Sequence, residues 1–332
     1  MAIQIKDKKL HIDKVVIDNP LIVEYIDSLK QDEREKAIQD ALGIGIMAGI
    51  KGEIAHFLDR AEGELGKHLG SLKALYDLLA MALSEMEMPE NCVQILRSGS
   101  REEVKLLVNM TDYVDVVIPR GGRSLVEFIK REAKVPVFAH LEGIVHVYVH
   151  KKADLEIAKK VVQNSKSRRP GICGAVETLL IDKEFYNNQG NELIDFLIAN
   201  GIEIRADKAL FKNESIVSVS DSDYGYEFLE NILAVKVVED IDAAISHIRN
   251  FGSNHTDCIL TEDKSASELF FKKLDSSILL CNASTQFADG GEFGFGAEIG
   301  ISTNKLHARG PIGAQHLVSF QYHVNGNGAL RP

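Results

Sequence analysis

Residues 166–181 read KSRRPGICGAVETLLI, which places one cysteine, Cys173, in a turn between two arginines and an apolar run. A thiol attacks a carbon atom only as the thiolate, a form that nearby cations and helix N-terminal amides favour. The apolar run that ends the stretch is typical of a buried strand. We therefore interpret Cys173 as a nucleophile in a turn before a strand. The alternative is a small buried hydrophobic residue, as most single cysteines are.

Short apolar strands alternate with helices of about three turns in the sequence after Pro89. Such alternation indicates the α/β class, with a parallel sheet and crossover helices. Strands are predicted at residues 92–96, 114–118, 135–139, 146–149, 178–182, 202–205, 234–238, 256–261 and 277–282. Helices are predicted at residues 101–109, 124–132, 155–165, 191–200, 241–251 and 264–273.

The sequence before Pro89 has a different pattern. Residues 1–18 predict one or two short strands, and residues 20–51 predict a helix. An apolar 4-3 repeat follows over residues 54–86, but each glycine at positions 63, 66 and 70 costs a helix interior roughly 1 kcal/mol. We expect a break near residues 66–70, and favour an amphipathic hairpin over a dimerisation coiled coil.

Composition and charge limit the classes of function. The chain has 332 residues, 45% of them hydrophobic, which is enough for two domains with a buried core. A formal net charge of -11 argues against nucleic-acid binding and against attachment to an anionic membrane, and no apolar run is long enough to span one. The four cysteines lack CxxC spacing, so no metal site is predicted. We expect a cytoplasmic protein with reduced thiols.

Further blocks of sequence occur in a fixed order around the cysteine stretch. They are VDVVIPRGG at 114–122, VPVFAHLEG at 135–143, HVYV at 146–149, EFL at 227–229, ILAVKVV at 232–238, NAST at 282–285, a glycine-rich run at 289–300 and KLHARGP at 305–311. With the cysteine stretch, these blocks resemble the γ-glutamyl phosphate reductases, a family of the aldehyde dehydrogenase superfamily. The resemblance extends from about residue 72 to the C-terminus.

The resemblance implies an aldehyde-dehydrogenase-like fold, in which an incomplete Rossmann-like cofactor domain accompanies an α/β catalytic domain. Residues 1–70 are predicted as a helical N-terminal segment of unknown role, and residues 71–166 as the partial cofactor-binding domain. Residues 167–314 then form the catalytic domain, and residues 315–332 an oligomerisation edge strand. Leu317–Val324 alternate as an edge strand does, and such an edge pairs readily with another subunit. A homo-oligomer is therefore expected.

The resemblance also implies a reaction, the NADPH-dependent reduction of γ-glutamyl phosphate to glutamate 5-semialdehyde in proline biosynthesis. Cys173 attacks the acyl carbon of this small acyl phosphate and expels phosphate, and a hydride then reduces the resulting thioester. His140 lies where the superfamily places its general base, which implies an acid/base role. Glu142 is a neighbouring alternative for that role, and a histidine at the end of a strand is also often a hydrogen-bonded core residue.

Cofactor contacts are expected at the turn Pro119-Arg120-Gly121-Gly122. Its glycines let the backbone approach a ligand, and the N-terminus of the helix that follows favours anions. By resemblance, Glu227 binds the nicotinamide ribose; otherwise it is an ordinary loop carboxylate.

Substrate contacts are expected from two groups of residues. Arg168 and Arg169 lie close enough in sequence to Cys173 to screen a phosphate, unless they are simply solvated surface charges. Hydroxyl and amide groups beside the glycine-rich run would bind the substrate carboxylate, and Arg309 is a second choice for anion binding. The implied substrate-binding residues are Arg168, Arg169, Asn282, Ser284, Thr285 and Arg309.

Residues 1–70 depart from the family's pattern. They contain no counterpart of the family's Glu-Ser-Arg-Pro-Asn stretch, which carries an oxyanion-binding asparagine, or of its strand ending in Arg-Gly-Gly before the adenosine-binding helix. We therefore expect NADP to be the cofactor but to bind weakly. The alternative function is that of a non-catalytic relative, truncated or fused, which acts as an oligomerising scaffold.

Overall fold

The structure, a computed structural model, describes residues 3–6, 9–12, 15–17, 69–96, 100–211 and 213–331. Its first three strands are β1 (Ile3–Lys6), β2 (Lys9–Ile12) and β3 (Val15–Ile17), which form an antiparallel sheet in that order. The sequence predicted one or two strands here, within a segment otherwise expected to be helical. The predicted helix at 20–51 lies outside the described residues, as does the first part of the 4-3 repeat.

Among the described residues, three α-helices precede the main sheet. They are α1 (Leu69–Glu85), α2 (Arg101–Leu107) and α3 (Arg123–Glu132). Gly70 lies in α1, and residues 66–68, where the predicted break begins, lie outside the described residues. Among the residues that the structure describes, no helix is long and apolar enough to cross a membrane.

A seven-stranded parallel sheet forms the centre of the chain, in the order β10-β9-β4-β5-β8-β6-β7. Every residue of β4, β5 and β9 is buried, as expected for a parallel sheet covered on both faces. The strands are β4 (Val145–Val149), β5 (Val176–Asp182), β6 (Glu203–Ala206), β7 (Val217–Ser218), β8 (Ile232–Val238), β9 (Thr256–Leu260) and β10 (Ile278–Cys281).

Crossover helices cover the two faces of this sheet. The helices are α4 (Leu155–Ser167), α5 (Asn191–Ala199), α6 (Ile241–Phe251) and α7 (Lys264–Lys273). Side chains alternate along β5, so Leu179 and Ile181 pack with α4 and α5, while Leu180 packs with α6 and α7. The α/β class predicted from the alternating pattern is confirmed.

The predicted boundary between residues 166 and 167 falls at the end of α4, inside the β4–α4–β5 unit. The sheet therefore takes strands from both sides of that position.

Three strands expected ahead of the main sheet are absent or reduced. Residues 92–96 were predicted as a strand, but they follow a short 3-10 helix and lack strand structure, with Ile95 and Leu96 about half exposed. In the described part of the chain no neighbouring strand supplies hydrogen bonds to them. Residues 114–118 and 135–139 meet in a single parallel bridge between Val117 and Val137.

The predicted edge strand Leu317–Val324 is also not a strand in this chain. These residues have no regular secondary structure, because an edge strand forms only when a second strand completes its hydrogen bonds. Val318, Phe320, Tyr322 and Val324 are between 68% and 89% exposed, and the rings of Phe320 and Tyr322 lie on the same side with centroids 5.5 Å apart. Leu317, in contrast, packs on a small core with Phe138 and Ile312.

A buried ion pair closes the loop between α4 and β5. The Nζ atom of Lys166, in the last turn of α4, donates to Oε2 of Glu177 on β5 at 2.6 Å, and both side chains are 0% exposed. Burial raises the pKa of Glu177 to about 7, and the Lys166 cation limits that rise. The other carboxylate oxygen of Glu177 accepts a hydrogen bond from the backbone of Leu229.

Removing one partner of this pair is expected to destabilise the fold strongly. Lys166→Met leaves a buried carboxylate without its cation, and such a loss costs about 3–5 kcal/mol. Lys166→Met combined with Glu177→Leu should lose less, because no charge then remains buried. Urea unfolding of the variants measures the difference. Lys183→Met removes the exposed pair with Glu239 and is the matched control. An equal loss in Lys166→Met and in the control would contradict the expectation.

The exposed apolar side chains after Leu317 are expected to form a contact between subunits. Phe320→Lys combined with Tyr322→Lys should shift the sedimenting species toward the monomer, as should deletion of residues 318–332. Ser319→Lys with Gln321→Lys adds the same charge at the alternate positions and should have a smaller effect. Sedimentation velocity makes the comparison. Unchanged mass in all variants would remove this segment from any interface.

Candidate active site

Three loops meet at one edge of the parallel sheet, the edge where the strands begin. Cys173 lies in the turn before β5, Gly143 lies two residues before β4, and His255 immediately precedes β9. Because β5, β4 and β9 are neighbours, residues far apart in sequence become adjacent here. His140, three residues before Gly143, joins the same group.

Cys173, His140 and His255 form a compact cluster. One sulfur or nitrogen atom of each lies within 4.8 Å of those of the other two. The two imidazole rings meet edge to face, with centroids 5.2 Å apart. The sequence predicted Cys173 and His140 for this site but missed His255. Only its position before a strand pointed to this edge, and that signal is shared by many residues.

Both imidazoles are neutral at ordinary pH. Burial, together with the nearby cation of Arg120, lowers the pKa of His140 to about 4. Burial likewise lowers the pKa of His255 to about 3, with a smaller effect from His140. A neutral imidazole carries a lone pair and can accept a proton from a thiol. The cluster therefore combines a nucleophile with two bases.

Gly143 fixes the position of the cysteine loop. A Cβ atom on Gly143 would lie 2.1 Å from the carbonyl oxygen of Cys173, so a larger residue would displace that loop. The amide of Gly143 donates to Oε1 of Glu227 at 2.9 Å. Burial raises the pKa of Glu227 above its ordinary value. The Gly143 backbone thus links Glu227 to the loop that carries Cys173.

Arg120 also reaches this region, from the turn before α3. Its Nη1 atom lies 3.0 Å from the position that a Cβ atom on Gly300 would take, and its charge acts on His140. The same charge acts on Glu298, although burial raises the pKa of that carboxyl to about 7. Glu298 accepts a hydrogen bond from the amide of Gly290, which ties the glycine-rich loop to the Arg120 side of the site.

Ser284 and Thr285 lie behind the cysteine turn. The hydroxyl of Ser165, in α4, accepts a hydrogen bond from the Thr285 amide at 3.0 Å and contacts the Ser284 hydroxyl at 3.3 Å. A Cβ atom on Gly174 would lie 3.2 Å from the Thr285 carbonyl oxygen. Among the described residues, the buried Thr285 hydroxyl has no hydrogen-bond partner. These residues pack against the turn that carries Cys173.

Asn282 is not brought to Cys173. It follows β10 at the opposite edge of the sheet, where its amide makes two 2.8 Å hydrogen bonds to the backbone of Thr261. Asn282 was expected to bind the substrate, but this placement does not bring it to Cys173, because a parallel strand separates its two ends by its own length.

The predicted arginines of the substrate site have different surroundings. Arg309 pairs with Asp275 at 2.9 Å. Arg168 caps the end of α4 and is exposed, whereas Arg169 is half-buried.

The turn at residues 119–122 suits one end of a dinucleotide. Gly121 has a φ of 145°, which favours glycine, and Gly122 is the N-cap of α3 with no side chain of its own to cap it. In the described part of the chain, no atom lies within 4 Å of where a Gly122 Cβ atom would be. With Arg120 and the half-buried Glu227 nearby, the residues present fit the nicotinamide end of NADP.

The parallel sheet with a cysteine at its amino-terminal edge defines a protein with the aldehyde dehydrogenase fold. An acetylating aldehyde dehydrogenase from Geobacillus thermoglucosidasius superposes with a TM-score of 0.57 over 76% of this chain and 67% of that chain, at 16% identity. At that identity the likeness shows the fold alone.

Within this class, the chain is a relative of the γ-glutamyl phosphate reductases. That of Rhodopseudomonas palustris is 50% identical over 264 residues, which are 79% of this chain and 61% of the relative. The crystal structure of that from Thermotoga maritima is 37% identical, with a TM-score of 0.73, and the match covers 78% of this chain and 63% of that chain. No family model matches. The resemblance in the motifs is confirmed, and the chain spans about three fifths of the length of the curated relatives it matches.

Cys173 is expected to be the first cysteine to react with an alkylating reagent, since two neutral imidazoles can accept its proton. Burial raises the pKa of Cys258 to about 12 and also raises that of Cys281, so both should react slowly, while Cys92 is exposed. Substoichiometric iodoacetamide at neutral pH, followed by peptide mapping, gives the order.

A matched pair of histidine variants tests the cause. His255→Gln should slow the labelling of Cys173, whereas His247→Gln, at another buried histidine, should not. Labelling of Cys92 ahead of Cys173, or equal effects of the two variants, would contradict the expectation.

Proposed function

We propose that this chain catalyses the NADPH-dependent reduction of γ-glutamyl phosphate to glutamate 5-semialdehyde, a step of proline biosynthesis, as part of a homo-oligomer. The observation that carries the proposal is the cluster of Cys173 with two neutral imidazoles. It lies in a region that is 50% identical to a γ-glutamyl phosphate reductase.

Cys173 is the nucleophile of the proposed reaction. His140 or His255 accepts the thiol proton, and the sulfur then attacks the acyl carbon of the substrate. The C–O bond to the phosphate breaks and phosphate leaves, so a thioester forms on Cys173. Burial lowers the pKa of both histidines, so both are neutral at ordinary pH and can accept a proton.

Arg120 is the group that we propose to attract the acyl phosphate. Its cation is close enough to His140 to lower the pKa of that imidazole, so it can also stabilise negative charge near the reacting carbon. Arg168 and Arg169 are the alternative phosphate contacts, with Arg168 the more exposed of the two. Thr285 offers a hydroxyl behind the turn, while Ser284, Asn282 and Arg309 make contacts within the fold.

Glu227 and the turn Pro119-Arg120-Gly121-Gly122 would hold the cofactor. When bound, NADPH supplies the hydride that reduces the thioester. Glu227 keeps its carboxylate beside the cysteine loop through the 2.9 Å hydrogen bond from Gly143. Binding is proposed to be weaker than is usual for pyridine-nucleotide enzymes, because residues 1–70 show no sequence counterpart of the family's adenosine-binding elements.

The reverse reaction tests the proposal, with glutamate 5-semialdehyde, NADP and phosphate as reactants and NADPH absorbance as the measurement. Cys173→Ser should lower the rate by at least about 10³-fold, as loss of a covalent nucleophile does. Cys92→Ser, at an exposed cysteine, is the matched control and should retain the rate. A wild-type chain that binds no NADP and shows no turnover would favour the scaffold alternative.

The pH dependence of the same assay adds a second criterion. Since the pKa of His140 is lowered to about 4, the ring is neutral above that value and becomes charged only as the pH falls through it. The rate should therefore persist on the acid side to about pH 5. An acid limb near 6.5, the ordinary histidine value, would show that neither buried imidazole acts as the base.

A further inference from the structure

The cluster of His140, Cys173 and His255 combines a thiol with two imidazoles, which are the side chains of a metal site as well as of a nucleophilic site. It brings one sulfur and two imidazole nitrogens within 4.8 Å of one another, on three separate loops. In a tetrahedral zinc site with Zn–S of about 2.3 Å and Zn–N of about 2.1 Å, such atoms lie about 3.5 Å apart. Closing this difference needs shifts of about 1 Å in the ligand atoms.

Each of the two histidines has a buried ring nitrogen that is available to bind a metal ion. His255 is 0% exposed, and its Nδ1 contacts the hydroxyl of Thr256 at 2.9 Å, which leaves Nε2 for the cluster. Within the described part of the chain, that Nε2 and the Nδ1 of His140 are buried atoms without a hydrogen-bond partner. A metal-bound histidine typically has its second nitrogen held by a neighbouring polar group, as Thr256 holds His255.

We propose that His140, Cys173 and His255 bind a Zn²⁺ ion, with solvent as the fourth ligand on the exposed side of Cys173. Thiolate and imidazole ligands favour zinc over magnesium or calcium, which prefer oxygen. The metal takes the sulfur lone pair that would otherwise attack the substrate, so bound Zn²⁺ inhibits the nucleophile. Metal binding itself is independent of the proposed reductase function; only the inhibition of turnover rests on it.

The test uses the full chain without affinity tag, substrate or cofactor. Titration with Co²⁺ should give one equivalent of binding and an intense sulfur-to-cobalt absorption band, which one equivalent of Zn²⁺ then displaces. Cys173→Ser should abolish the band. His140→Gln should weaken the affinity at least about tenfold, as loss of a metal ligand does. His247→Gln keeps the cluster intact and is the matched control, since its imidazole is also in the protein interior but contacts other rings.

A second measurement uses the wild-type chain alone, so its outcome does not depend on whether a variant folds. It reports the protection of Cys173 from labelling. One equivalent of Zn²⁺ should suppress the iodoacetamide labelling of Cys173 by at least about tenfold, EDTA should restore it, and Mg²⁺ should have no effect. Equal protection by Mg²⁺, unchanged labelling with Zn²⁺, or a cobalt band that survives in Cys173→Ser would overturn the proposal. Because neither readout involves turnover, failure of the metal site and failure of the reductase function are distinguishable.

Discussion

The ion pair between Lys166 and Glu177 is the interaction on which the position of the candidate nucleophile depends. It joins the end of α4 to the start of β5 and closes the loop that carries Cys173. Both charges are fully buried, so the pair holds this loop only while both partners are present. The second carboxylate oxygen of Glu177 also holds the backbone of Leu229, two residues after Glu227. One buried carboxylate thus fixes the cysteine loop and the loop of the proposed cofactor ligand together.

The parallel sheet supplies the rest of the geometry. Since all neighbouring strands run in the same direction, the loops before β4, β5 and β9 meet at one edge, and residues from each of them reach Cys173. The close contact between Gly143 and the Cys173 carbonyl sets the distance between two of these loops. Asn282 directly follows β10 and bonds the backbone of Thr261 at the other edge, and the chain returns to the cysteine turn by Thr285. Direction along the strand decides the edge at which the residue next to a strand end lies.

The parts of the fold that the sequence predicted well are those whose pattern is local. The strands and helices predicted between residues 146 and 282 are each marked by their own apolar periodicity and by turn residues, and the structure contains all of them within a few residues. The two-residue strand β7 was not predicted. Residues 92–96 and Leu317–Val324 carry strand-like patterns, yet a strand also needs a partner, which local sequence does not reveal. Cys173 and His140 were identified by motif. His255 was missed because its place beside them depends on the pairing of β9 with β4, a property of the sheet.

The features that make the cluster a nucleophilic site also make it attractive to a soft metal. A base must be neutral to accept the thiol proton, and a neutral imidazole beside a thiolate is a zinc ligand. The surrounding charge influences whether the cluster favours an anionic substrate or a bound metal ion. Arg120 places a cation near His140, which favours an anionic acyl phosphate and opposes a second cation. Glu298, which interacts with the charge of Arg120, is held partly neutral by burial and offsets that cation only in its ionised form. As the pH rises through about 7, ionisation of Glu298 therefore reduces the positive charge that Arg120 places near His140.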